Sequence, residues 1–318
     1  MSGGRVVAVT GATGFLGLHL VAELARQGAH VRILTRRDPT HDLWRGLALD
    51  VVPGDLENSK ALEKLVTGVD AVVQGAGLIK ARDRAQFMRV NRDGMSAVAA
   101  MTQRCSPQAR FIAISSLAAR EPQLSDYAAS KRAGEDAARA AYADALEQLL
   151  IIRPPAIYGP WDRETLAIFK AASQPLVPVF GRGRAAIVHV ATAAGVLALL
   201  AMGRGEAGLY ALADPRPEGY TLRELLSEAA RALGSKPRFI DVPDTALTAA
   251  GQLSAWWASL RDTPPIFTPG KVREMLHGDW SISPREMLPS PIYQENIGIA
   301  RGFHETVAWY RAAKWLSG

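Results

Sequence analysis

The stretch Val6-Val7-Ala8-Val9-Thr10-Gly11-Ala12-Thr13-Gly14-Phe15-Leu16-Gly17 constrains the fold more than any other. An apolar run of strand length leads straight into three evenly spaced glycines. A helical pattern follows, with Leu16, Leu20, Val21 and Leu24 on its inner side and Gly28 as its stop. Strand, tight turn and helix in this order open a parallel α/β sheet. Gly11 permits the turn, Gly14 lets the backbone approach a diphosphate, and Gly17 lets helix and strand pack closely. The diphosphate then meets the free N–H groups of the helix start. Thr13, Phe15 and Leu16 complete this dinucleotide-binding turn.

The pattern continues. Strands are expected over Arg5–Thr10, His30–Thr35, Leu49–Val52, Ala71–Gln74, Arg110–Ser115 and Leu149–Arg153. Helices are expected between them over Gly14–Gln27, Ser59–Val66, Arg84–Gln103 and Tyr127–Leu146. Nearly continuous apolar strands alternating with helices predict a doubly wound parallel sheet, the Rossmann-type α/β class. After Arg153 prolines cluster, and short strand-like pieces (Gly208–Leu212, Arg238–Val242) alternate with helices (Thr221–Leu233, Asp244–Leu260). This predicts a nucleotide-binding domain over residues 1–160 and a mainly substrate-binding, smaller C-terminal domain over 161–318, with segments near 185–213 returning to the sheet. The weakly charged window Ala185–Gly203 divides into a β-branched piece and an Ala/Leu-rich piece. It is read as a strand leading into a buried helix rather than a membrane span.

The chain has 318 residues, of which 48% are hydrophobic and 21% charged, so a substantial core is available. Its formal charge is +6 and its pI about 9.6, a balance that favours a phosphate-bearing ligand. The arginines are dispersed, which argues against a nucleic-acid stripe. Cys105 is the single cysteine, so no internal disulfide forms, and the N-terminus carries no signal-peptide pattern. Both features predict a cytoplasmic protein. No metal-ligand spacing occurs, and His189 is read as a core or loop histidine.

The end of the second strand selects the cofactor. An acid there would bind the adenosine ribose of NAD, but this chain has Thr35-Arg36-Arg37, with Asp38 only after them and before Pro39. Two guanidiniums suit a 2′-phosphate, which predicts NADP(H) in preference to NAD(H). Farther on, Tyr127 and Lys131 stand four apart and share a helix face. A neighbouring ammonium is expected to lower the phenol's proton affinity, so that Tyr127 exchanges a proton with a carbonyl oxygen. Ile114-Ser115-Ser116 ends a strand upstream, at the sheet edge where ligands bind. Ser116 is the expected third donor, with Ser115 as the alternative.

With these residues in place the chain resembles the extended short-chain dehydrogenase/reductase superfamily, NAD-dependent epimerase/dehydratase-like. The likeness runs from Val6 to about Pro160 and more faintly over Gly302–Tyr310. The resemblance assigns Gly54-Asp55-Leu56 to the adenine, so Asp55 and Leu56 join the cofactor site. It also assigns Gly75-Ala76-Gly77 after the fourth strand, the helix residue Asn91, and Ser116, Tyr127 and Lys131 as the catalytic set. Arg153-Pro154-Pro155-Ala156-Ile157-Tyr158-Gly159-Pro160 would pass the nicotinamide, through Pro154. It implies hydride transfer at a ketone or secondary alcohol, and a homodimer. Ser116 and Tyr127 lie only 11 positions apart, which resembles the branch containing the respiratory complex I accessory subunit. No asparagine follows Arg153. Both departures argue against a nucleotide sugar.

The segment Pro243–Leu260 holds Asp244 but no base, and sets Leu247, Ala250, Leu253, Trp257 and Leu260 on one helical face, with Trp256 at its edge. Such a helix suits either the roof of an apolar pocket or peripheral contact with a membrane. The expected function is therefore NADP(H)-dependent interconversion of a ketone and a secondary alcohol on a hydrophobic substrate, steroid-like or a long-chain 3-oxo lipid such as 3-oxoceramide. The alternatives are a sugar-nucleotide epimerase or dehydratase, and a non-catalytic nucleotide-binding subunit of a larger assembly.

Overall fold

The computed structural model describes residues 4–245, 269–293 and 295–316. The expected helix face from Leu247 to Leu260, with Trp256 and Trp257, lies outside the described residues.

Six strands open the chain: β1 (Val6–Thr10), β2 (His30–Thr35), β3 (Leu49–Pro53), β4 (Ala71–Gln74), β5 (Arg110–Ile114) and β6 (Leu149–Arg153). Among the described residues they and the later strand Gly208–Ala211 form one seven-stranded sheet, ordered Gly208–Ala211, β6, β5, β4, β1, β2, β3, with every pair parallel. Each crossover therefore passes over a face of the sheet. The helices are α1 (Phe15–Arg26), α2 (Ser59–Val66), α3 (Arg84–Met88), α4 (Gly94–Cys105) and α5 (Asp126–Ala141). One face of the sheet packs Val7, Val9, Val73 and Ile112 against α1 and the helix Val190–Ala201. The other packs Ala8, Val72 and Phe111 against α2, α4 and α5. Side chains this fully buried contribute roughly 1.5–3 kcal/mol each for the large apolar ones, so alternation along each strand holds both layers.

The window Ala185–Gly203 resolves into the strand Ile187–His189 and the helix Val190–Ala201. Among the described residues no helix is long and apolar enough to cross a membrane. His189 is buried and caps that helix, its Nδ1 accepting from Ala191 N at 3.3 Å. A second apolar cluster beyond the sheet gathers Tyr158, Phe169, Leu226, Phe303 and Tyr310.

Two helices differ from the periodicity. The expected Arg84–Gln103 helix is broken by a π turn at Arg89–Asp93, an irregularity that side-chain spacing does not reveal. The expected Tyr127–Leu146 helix ends at Ala141, where Tyr142 turns into the core with its ring tilted against that of Phe111 at 5.1 Å.

Candidate active site

Because the strands are parallel, the segments after β1 to β6 all leave the same edge of the sheet, and the expected site residues occupy them. Gly11–Gly17 follow β1, Arg36 and Arg37 follow β2, Asp55 and Leu56 follow β3, Gly75–Gly77 follow β4, Ser115 and Ser116 follow β5, and Pro154 follows β6. The sheet order reverses between β1 and β4, the crevice where such sheets take ligands.

The turn after β1 has no room for a side chain at Gly11 or Gly17. Gly11 sits at φ +70°, and a Cβ there would stand 2.6 Å from the Gly75 and Ala76 backbone. A Cβ on Gly17 would meet the Gly11 carbonyl at 2.1 Å. Gly14 is exposed at the start of α1, where no side chain caps the helix and no acid occupies the first turn. These free N–H groups and their dipole fit a diphosphate. The Thr10 hydroxyl is bonded to Gln74 and accepts from Ala76 N at 3.1 Å, tying the two turns together. His19, on α1, reaches the Pro160 carbonyl at 3.0 Å, so the stretch after Tyr158 is tied to the same helix.

The π turn presents Asn91 inward. Its amide accepts from Leu78 N at 2.7 Å and donates to the Leu78 carbonyl at 3.0 Å and to Ser130 Oγ at 2.9 Å. A Cβ on Gly77 would stand 3.0 Å from Asn91 Oδ1 and 3.8 Å from Lys131 Nζ. The segment after β4, the π turn and α5 thus meet at one point.

On α5, Ser125 caps the helix and Tyr127 and Lys131 follow on one face, both half-buried. Lys131 Nζ donates to the Ile114 carbonyl at 2.7 Å. Burial holds its ammonium down to about 8, although the nearby Glu135 carboxylate favours the charged form. The Tyr127 phenol behaves opposite to the sequence expectation. Burial pushes it up to about 12, with the Ser116 hydroxyl pulling down and the Glu274 carboxylate pushing up. Desolvation of the phenolate outweighs the Ser116 hydrogen bond. Its ring lies 6.0 Å from that of Phe87 on α3, and Ile79 stands exposed in the segment after β4.

The two serines after β5 divide. Ser115 is buried and donates to Glu135 Oε1 at 2.6 Å. Glu135 in turn takes Arg153 in a two-point fork, 2.7 Å on each arm, with both side chains buried. Ser116 is half-buried, accepts from Ala118 N at 3.2 Å and lies by the Tyr127 phenol.

Residues 7–201 match the NAD dependent epimerase/dehydratase family. The chain belongs to that family. A "Ceramide reductase" of Caulobacter vibrioides is 50% identical over 98% of this chain and 96% of its own length. The mitochondrial "NADH-ubiquinone oxidoreductase 40 kDa subunit" of Neurospora crassa is 26% identical over 98% of this chain and 80% of its own. The UDP-glucose 4-epimerase of Thermus thermophilus, solved with NAD, superposes with a TM-score of 0.68 at 21% identity, covering 97% of this chain and 99% of that one. The expected resemblance to extended short-chain dehydrogenases and to the complex I subunit is borne out. Within the epimerase/dehydratase frame, Glu135 and Glu274 escaped the sequence reading. Glu135 repeats the four-residue step of Tyr127 and Lys131, a signal that was available. Glu274 lies 149 positions from Ser125, the partner of its carboxylate, and nothing local announces it.

Proposed function

We propose that this protein is an NADP(H)-dependent reductase that converts the ketone of a hydrophobic, lipid-type substrate to a secondary alcohol. The observation that supports the reading is the Ser116 hydroxyl beside the Tyr127 phenol, with Lys131 one turn along the same helix and close to Gly77 in the segment after β4. Fifty per cent identity to a ceramide reductase supports a 3-oxoceramide-like substrate. The Phe87 ring beside that of Tyr127 suits such a chain.

The nicotinamide cofactor, when bound, supplies the hydride. Gly11, Thr13, Gly14, Phe15, Leu16 and Gly17 would hold its diphosphate, Asp55, Leu56 and Gly75–Gly77 its adenosine side, and Asn91, Lys131 and Pro154 its nicotinamide side. The Ser116 hydroxyl donates to the ketone oxygen and orients it. Tyr127 gives that oxygen its proton as negative charge develops. A phenol that burial keeps protonated is a competent donor throughout the neutral range. Lys131 keeps a cation behind the phenol and offsets the charge left on it.

Arg36 and Arg37 carry the cofactor choice. The Thr35 hydroxyl bonds the Arg37 backbone at both its carbonyl and its N–H, at 2.7 and 3.3 Å, while both guanidiniums are exposed and form no ion pair among the described residues. Arg36→Ala combined with Arg37→Ala is expected to raise the KM for NADPH by about 10–100-fold while moving that for NADH by less than about threefold. Steady-state rates with both cofactors and a panel of long-chain 3-oxo lipids and UDP-sugars test this. Equal effects on the two cofactors would remove the arginines from phosphate recognition. Turnover of UDP-sugars without net NADPH consumption would replace the reductase reading by an epimerase.

The reduction rate is also expected to fall as pH rises through about 8, where Lys131 passes from ammonium to amine. A pH profile of kcat flat from 7 to beyond 10 would dismiss its charge from the reaction.

A further inference from the structure

The turn that carries Ser116 is fastened at both ends, by two distant parts of the chain. At its start Leu117 N donates to the Pro154 carbonyl at 2.9 Å, which ties it to the segment after β6. Ser116 caps the short 3-10 turn Leu117–Arg120: its Oγ accepts from Ala118 N at 3.2 Å and its carbonyl from Ala119 N at 3.0 Å. A hydroxyl oxygen that accepts from Ala118 N keeps its own hydrogen for another acceptor. Arg120 is the last residue of the same turn. Its Nη1 donates to the Ser281 carbonyl at 2.8 Å, and its Nη2 to the Asp279 carbonyl at 2.5 Å.

Those two carbonyls belong to a sheet edge. The strand Asp279–Trp280 pairs in parallel with Arg184–Ala185, which pairs in turn with Tyr220–Thr221. The carbonyls of Gly278 and Trp280 face that neighbour and accept from Arg184 N at 3.3 Å and Ala186 N at 3.0 Å. Successive carbonyls of a strand point to opposite sides. Those of Asp279 and Ser281 therefore face the free edge, where no further strand pairs among the described residues. The Ser281 N–H folds back onto Asp279 Oδ1 at 2.9 Å. A guanidinium has five donors in a planar fork and no acceptor, so it suits two carbonyls on one edge. The half-buried Arg120 supplies it, with Cζ 5.8 Å from the centroid of the Trp280 ring.

We propose that Arg120 is a positioning residue that sets the Ser116 hydroxyl beside the Tyr127 phenol, by clamping the end of its turn to the edge Asp279–Ser281. Pro154 holds the start of the turn and Arg120 its end, so the hydroxyl between them is given one place. With the end released, the cap on Ala118 N opens and the hydroxyl turns away. The proposal rests on the reading of Ser116 as a donor to the ketone.

Two readouts test it. The first needs neither ketone nor cofactor: hydrogen exchange of the amides of Leu117–Ala119, followed by mass spectrometry. In Arg120→Met it is expected to quicken by about tenfold or more, with the amides of α5 unchanged. The second is kcat for reduction of 3-oxoceramide by NADPH, in a double-mutant cycle of Arg120→Met with Ser116→Ala. Arg120→Met alone is expected to lower kcat by about 10–100-fold, the effect of a misplaced group, with the ketone KM within about threefold. In the Ser116→Ala background the same replacement is expected to cost less than about threefold, because the group it positions is gone. A merely structural clamp would cost the same factor in both backgrounds. Unchanged exchange, equal losses in both backgrounds, or a raised KM at unchanged kcat overturns the proposal. If Arg120→Met does not fold, Arg120→Lys, which keeps the charge without the fork, decides by the same measurements. A full rate in Ser116→Ala would sink the donor reading of Ser116 by itself, and the exchange result would then judge the clamp.

Discussion

Replacing Tyr127 by phenylalanine is expected to lower kcat for ketone reduction by about a hundred- to ten-thousand-fold, the range for loss of a general acid. NADPH affinity is expected to change by less than about threefold, since the phenol hydrogen is needed only as charge develops on the substrate oxygen. The substitution removes one oxygen from a half-buried ring that keeps its contact with Phe87, so the fold has little reason to respond. Single-turnover rates together with NADPH titration by fluorescence make the comparison. A variant that reduces ketones at the parental rate would assign the proton to another group.

Glu135→Ala is expected to cost about 3–5 kcal/mol of folding stability, the penalty for leaving a buried partner charge uncompensated. The partner is Arg153, held on two arms at 2.7 Å with both side chains nearly excluded from water. The loss measures the stranded guanidinium more than the worth of the pair. The double replacement Glu135→Leu with Arg153→Met should accordingly recover most of it. Urea unfolding of the parent and the two variants reads both quantities, and a single variant within about 1 kcal/mol of the parent would contradict the buried fork. Activity should suffer as well, because Lys131 loses the carboxylate that favours its charged form.

The sheet was legible because its strands are short, apolar and bounded by glycine or proline. Ala71–Gln74 and Leu149–Arg153 fall where the pattern puts them. The glycine turn was legible because steric exclusion at Gly11 and Gly17 leaves a signature in residue type. The π turn carrying Asn91 was not, because an extra residue in one helical turn leaves composition untouched. Glu135 reads as one more surface acid on a helix until Arg153, from a strand 18 positions on, buries it. Glu274 depends on a contact across 149 positions. The direction of the Tyr127 shift was misjudged for the same reason: helix spacing reports the ammonium but is silent about how much water the fold removes.

Ser115 and Ser116 look interchangeable in one dimension, yet one is welded to the Glu135–Arg153 fork and the other stands by the phenol. Successive residues at the end of a strand project to opposite sides, so a slip of one position along β5 would exchange them. The anchor would lose its hydroxyl in the same event that withdrew the proposed donor from the phenol. A single-residue change of frame within β5 would therefore unmake the buried fork and displace the hydroxyl beside the phenol together.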